Sequence, residues 1–374
     1  MQKALINPRI IRWAIETRNI SEDTIAKKLH KKIEDVAAWI EGKEKPTFKQ
    51  AQKLAKILEI PFGYLYLKNP PEEKLPVPDF RTVKNKKPVS SNIKKLLLQL
   101  EQKQLFLEDF FRSEGYEPLD FIGKFNTDSN YKKIAEEIRN WLEIPSLPTK
   151  DILDQLLQKF IENRIFVFRN SVLGTNNREK IDIEEIRGAV YVNKYAPIIY
   201  INENDSKKAQ IFTLIHEFVH ILINQSEFSD IQITSSNRIE QFCNKVTAEV
   251  LLPEKEIRKL PNQIDLILLD KISNRYNISK LAALYKLLNT NKIDRYVFEE
   301  LYGQVVEEYQ QIELMQRKKK SRGGDFYKTY NKRYGNYFIK IVKYAIETNK
   351  ITYREAQDIL NVKLKTIYNI LEKV

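Results

Sequence analysis

The chain has 374 residues and 42% hydrophobic content, enough for two or three domains and at least one sizeable core. No apolar run approaches membrane-spanning length, and Met1 is followed by a polar, amphipathic segment, which argues against a membrane protein or a secreted one. The single cysteine, Cys243, excludes an internal disulfide and fits a reducing, cytoplasmic setting.

The net charge of +13 is unevenly spread. Residues 1–70 carry 14 Lys/Arg against 8 Asp/Glu, and residues 315–374 carry 15 against 5. The middle is slightly acidic. Basicity at both ends is what a polyanion such as DNA would meet, although lysines also serve simply to solvate helices.

Apolar residues recur at helical spacing through the first 67 residues: Ile10 to Ile15, then Ile25, Ala26 and Leu29, then Ile33, Val36, Ala37 and Ile40, then Ala51, Leu54, Ala55 and Leu58. Ser21 is placed to cap the second of these helices, Gly42 to stop the third, and Pro46 with Thr47 to start the fourth. The stretch SEDTIAKKLHKKIEDVAAWIEGKEKPTFKQAQKLAKILEIPFGYLY resembles the Xre (lambda repressor-like) helix-turn-helix family, with Trp39, Gly42, Pro46 and Leu54 at its signposts. That resemblance implies a third helix entering the DNA major groove, with Lys31 and Lys32 as DNA contacts. Glu34 and Asp35 depart from the pattern, since carboxylates repel phosphates, and leave dimerisation or partner docking as the alternative use.

A proline-rich connector follows at 69–90. Helical periods then run over Ser91 to Gly115, Asn130 to Leu142 and Asp151 to Asn163, with strand character at Ile165 to Phe168. Two short strands are expected at Ala189 to Asn193 and Pro197 to Asn202, and Asp205 or Ser206 caps the next helix. The edge of the strand before that helix is where an extended peptide could add.

The helix itself, IFTLIHEFVHI, holds two of the three histidines in the chain. His216 and His220, four apart, share one helix face with the spacing a tetrahedral zinc ion wants. Glu217 sits off that face, placed to reach water without ligating, which is the HExxH arrangement. A third ligand is owed. Glu240, opening the next helix, is the first candidate, with Glu249 and the soft donor Cys243 as alternatives; Asn244, a turn beyond Glu240, can support it by hydrogen bonding. Tyr191, Tyr200 and Arg187 lie near enough in sequence to be considered as oxyanion stabilisers.

AQIFTLIHEFVHIL together with IEQFCNKVTAEVLLP resembles the ImmA/IrrE family of zinc metallopeptidases, and the PDFRTV and GGDFYKT segments resemble its longer members. Val246 and Thr247 stand where that family often has Phe and Ala. The resemblance implies Zn2+ held by His216, His220 and Glu240, with Glu217 as general base. It also implies a repressor-like protein substrate and an upstream Xre domain; such families often sit in toxin–antitoxin operons.

Beyond the metal motifs, Glu254 to Leu301 is helical, and QRKKKSRGG reads as a basic hinge or tether. Residues 334–374 have the outline of a second helix-turn-helix, with Lys363 and Lys365 as candidate DNA contacts. The expected fold is mainly α (α+β). A helix-turn-helix bundle at 1–68 and the connector precede a zincin-like α+β metallopeptidase domain with a small sheet at 91–314, and a basic helical domain closes the chain at 315–374. The expected partners are a protein substrate and DNA, with a toxin or a second copy of the chain as further candidates, and no membrane.

Overall fold

The computed structural model describes residues 3–18, 20–58, 60–71, 90–145, 151–176, 179–225, 227–229, 238–317 and 326–373. Most of the proline-rich connector and most of the basic run after Gln316 lie outside them. The chain is mostly helical with a small mixed sheet, and no described helix is long and apolar enough to cross a membrane. It divides into two compact units, Met1–Lys95 and Leu96–Val374.

In the first unit, α1 (Pro8–Arg18), α2 (Glu22–Leu29), α3 (Ile33–Ile40) and α4 (Phe48–Ile57) surround a core built on Ile10, Ile25, Val36, Trp39 and Leu54. Local chemistry sets the breaks. Ser21 accepts from Thr24 N at the start of α2, and His30 ends α2 in the left-handed region at φ 54. Thr47 and Gln50 form a reciprocal capping box on α4. Gly42 takes φ +77 just past α3, where a Cβ would come within 3.0 Å of the Pro8 ring, so both conformation and space favour glycine.

The second unit is organised on a four-stranded sheet of order β1-β3-β2-β4: β1 Phe166–Asn170, β2 Gly188–Tyr191, β3 Ile198–Asn202 and β4 Glu227–Ser229. β1 runs parallel to β3, while β2 is antiparallel to both β3 and β4. The strand that precedes the histidine helix is therefore interior, with its two edges taken by β1 and β2. The sequence expectation that its edge would receive a peptide does not hold; among the described residues the outer strands of this sheet are β1 and β4.

Both faces of the sheet are covered, which explains why all five β3 residues are buried. Val190, Ile199 and Ile201 face a large core shared with α8 (Lys207–Leu222) and α9 (Arg238–Leu251). The opposite face meets aromatic residues from α5 (Ser91–Ser113) and the C-terminal helices. Around this centre lie α6 (Tyr131–Trp141), α7 (Ile152–Glu162), α10 (Glu254–Ile257), α11 (Leu266–Tyr276), α12 (Lys280–Asn289) and α13 (Arg295–Arg317). The chain closes with α14 (Phe326–Tyr334), α15 (Asn336–Glu347), α16 (Tyr353–Leu360) and α17 (Leu364–Leu371). These last helices join the sheet through aromatic contacts: Phe168 packs on Tyr334 and Phe338, and Lys332 pairs with Glu203 at 2.6 Å.

Candidate metal centre

α8 is buried on every side from Gln210 to Leu222, so it is the axis of the unit rather than an amphipathic surface helix. Ser206 starts it by accepting from Ala209 N, and Gln210 locks the first turn by donating to the carbonyls of Glu203 and Asp205. At the far end, Gly123 N and Phe125 N donate to the carbonyls of Ile221 and Leu222, which satisfies a helix terminus buried in the core. Gly123 is at φ +69 with Asn224 Cβ only 3.2 Å from where its own Cβ would be.

Rotation about the α8 axis is fixed by Phe218. It stacks on Trp141 at 4.9 Å between ring centroids and meets Phe160 and Phe121 edge-on, contacts worth about 0.5–1.5 kcal/mol each beyond area burial. With Phe218 in that aromatic box, His216 and His220 turn the other way, toward α9. Glu240 comes from the first turn of α9, and Asn244 lies one turn along the same buried face.

The three side chains converge. His216 Nε2 and His220 Nε2 are 3.1 Å apart, and Glu240 places Oε2 3.2 Å from the first and Oε1 3.1 Å from the second. Both histidines are wholly buried and Glu240 is 6% exposed. Burial alone would raise the Glu240 carboxyl, but hydrogen bonding to the two imidazoles outweighs it and holds the group well below the usual carboxylate range. Two Nε2 atoms 3.1 Å apart cannot both carry a proton without repulsion, whereas their lone pairs and the carboxylate can share one cation. A tetrahedral cation with bonds of ~2.0–2.1 Å separates its ligand atoms by ~3.3 Å, close to the three distances found here. The His216, His220 and Glu240 set therefore fits a metal ion.

Glu217, one residue on from His216, lies off the histidine face and against β2. The room for its carboxylate comes from Gly188 on β2, where a Cβ would run into Glu217 Oε1 and lie 2.5 Å from Thr213 Cγ2 and 3.1 Å from Glu217 Cδ. Gly188 escaped the reading of the sequence as a functional position. Its signal was there: a glycine inside a strand pattern marks close approach of something to the backbone.

The alternatives for a third ligand are engaged elsewhere. Glu249 is held by Lys286 at 2.5 Å, both nearly buried, and its other oxygen accepts from Glu254 N at 3.0 Å, capping α10. Cys243 is fully buried within the apolar core. The proposed oxyanion stabilisers also fall away from the centre. Tyr191 donates to Leu97 O and Tyr200 to Asn170 O, both buried on the sheet face opposite α8, and Arg187 pairs with Asp205 at 2.9 Å.

Residues 172–288 match the family model Peptidase_M78, the IrrE N-terminal-like domain. The match supports the ImmA/IrrE resemblance. It begins just after β1 and ends within α12, so this M78 region contains β2, β3, α8 and α9 and the whole His-His-Glu group. The match of this region points to a metallopeptidase and implies a metal ion. A comparison with curated proteins finds no match.

The candidate DNA contacts sit outside that region. Lys31 and Lys32 are exposed at the turn between α2 and α3, on a groove of ≈ 660 Å³ that also holds Asp23, Lys27 and Glu34. Lys31 pairs with Asp35 at 3.4 Å and Lys27 with Asp23 at 2.6 Å, so acids offset much of that positive charge. Lys363 and Lys365 are exposed at the start of α17.

Proposed function

We propose that the chain is a zinc-dependent endopeptidase built into a DNA-associated regulator, with a repressor-like protein as its substrate. The observation that carries the peptidase part is the convergence of His216, His220 and Glu240 within an M78 match, beside a separately seated glutamate. A zinc ion held by those three residues supplies Lewis acidity, polarising a scissile carbonyl and acidifying water. Asn244, buried one turn along α9 from Glu240, is assigned the supporting role beside it. Glu217, kept out of the ligand set by its seat at Gly188, is the group to accept a proton from the attacking water and deliver it to the leaving amine.

Glu217→Gln removes the base while preserving shape. Mass spectrometry of protein N-termini in cells producing the wild-type chain is expected to find new termini that are missing with Glu217→Gln, at equal metal content of the two proteins. Identical termini in both would sink the peptidase reading.

The complete burial of His216, Glu217 and His220 favours a second reading. There the ion braces the core and the protein acts by binding alone, as a DNA-binding regulator or as the antitoxin of a toxin pair. In that case Glu217→Gln leaves repression or toxin neutralisation unchanged, whereas loss of surface lysines impairs it.

A further inference from the structure

The chain contains a structural repeat. Ser21 to Ile40 correspond to Thr352 to Leu371 position for position, without a gap. In each, a hydroxyl residue caps an eight-residue helix by accepting from a backbone N–H three residues on. Each first helix ends in a left-handed residue, His30 at φ 54, ψ 49 and Asn361 at φ 52, ψ 44. Each second helix is preceded by an extended lysine, Lys32 at φ −75, ψ 153 and Lys363 at φ −74, ψ 149, and is again eight residues long. The buried positions coincide too: Ile25 with Ala356, Val36 with Ile367, Trp39 with Ile370, Ile40 with Leu371.

The exposed faces differ. Where α3 opens with Glu34 and Asp35, α17 has Lys365 and Thr366, and where α3 has Ala37, α17 has Tyr368, half exposed with its ring 5.1 Å from that of Tyr353. Among the described residues Lys363 meets no carboxylate, and neither does its counterpart Lys32; the copies differ at the next positions, where Lys365 stands free of carboxylates in place of Glu34 and the neighbouring Lys27 and Lys31 are paired with Asp23 and Asp35. Lys365 and Asn369 are four apart and therefore stacked on one face, next to the Leu364 and Tyr368 pair. The turn carrying this face is held firmly: buried Tyr330 donates to Leu360 O at 2.6 Å, and Asn361 packs at Gly174.

We infer that the second copy, through the α17 face bearing Lys363, Lys365, Tyr368 and Asn369, is the part of the chain that grips duplex DNA, and that the first copy is not. A single exposed helix of this width fits the major groove of B-form DNA, where lysine and tyrosine reach phosphates and an amide reaches base edges. The deep, narrow major groove of an RNA duplex does not admit it. The inference rests on the DNA-association half of the proposed function and is independent of the peptidase half.

Fluorescence anisotropy of the full chain with a labelled, mixed-sequence DNA duplex at two salt concentrations tests it. Removing one lysine–phosphate pair lowers the slope of log affinity against log salt by about 0.9, so Lys363→Gln with Lys365→Gln is expected to lower the slope by about two and the affinity about tenfold. Lys31→Gln with Lys32→Gln is expected to change affinity by less than about twofold. All four lysines are exposed, so unchanged thermal unfolding separates binding from folding. A loss from the first-copy pair equal to or larger than that from the second-copy pair overturns the assignment while leaving DNA association standing. Tighter binding to an RNA duplex of the same sequence also overturns it. If the wild-type chain shows no salt-dependent duplex binding, DNA association itself fails, and the appearance of new protein termini is untouched.

Discussion

Gly188 carries more of the site than its missing side chain suggests. A hydrogen in place of a methyl group is what lets the Glu217 carboxylate lie against β2, with Thr213 Cγ2 closing the same space. Gly188→Ala forces either the carboxylate or the strand to shift, an overpacking that costs about 1–3 kcal/mol. A displacement of order 1 Å in a catalytic group lowers rate about 10²-fold. The expected outcome is a metal-replete protein whose characteristic new N-termini accumulate about two orders of magnitude more slowly. Thr213→Ser in that background removes the second obstructing group and is expected to recover part of the rate. If Gly188→Ala cleaves like wild type, Glu217 has no need of that seat.

At the scale of the element, α9 presents two buried glutamates with opposite duties. Glu240 completes the His-His-Glu group, whereas Glu249, less than three turns later, is paired with Lys286 and tied to the start of α10. Glu240→Ala is expected to abolish stoichiometric metal binding. Glu249→Gln is expected to keep the metal and lose about 3–5 kcal/mol of stability, because it strands the buried Lys286 ammonium. Metal analysis beside urea unfolding of the two variants checks both; full occupancy in Glu240→Ala would return the third ligand to open question. The sequence put Glu240 first because it opens the helix after the histidines, but it could not show what engages Glu249, since that partner, Lys286, lies on a helix 37 residues away. The histidine pair was legible because i and i+4 spacing is a local property. So were the cap at Ser21 and the helix start at Thr47, while the choice between Asp205 and Ser206 needed the structure, which shows Ser206. Strand order was not: nothing local in GAVYVNKYAPIIYIN says that β1 inserts beside β3 and makes the strand before α8 interior.

At the scale of the whole molecule, the C-terminal helices close over α5 and bury a lysine in doing so. Lys103 is 2% exposed; its Nζ donates to Gln99 O at 3.3 Å and lies 5.5 Å from the Tyr334 ring centroid. A helical spacing places Lys103 on α5 but cannot reveal that helices more than 200 residues later would cover it. Burial lowers its pKa from the ordinary lysine value to about 7. Below that value both folded and unfolded chains hold the proton, and this group gives stability no slope. Above it, up to the ordinary lysine value, the unfolded chain holds one proton more than the folded chain, so stability rises with pH by up to about 1.4 kcal/mol per unit. Tyr334, pushed up to about 12 by burial, stays neutral across this window. Lys103→Met keeps the length and apolar stem of the side chain and removes the charge. It is expected to raise stability at about pH 7 and to flatten the rise between about pH 7 and about pH 9, measured as the shift in urea midpoint at fixed metal loading. Parallel pH profiles for wild type and Lys103→Met would mean that the ammonium reaches water in the folded chain. The C-terminal helices would then not seal α5 as tightly as the aromatic contacts of Phe106, Phe110 and Phe338 require.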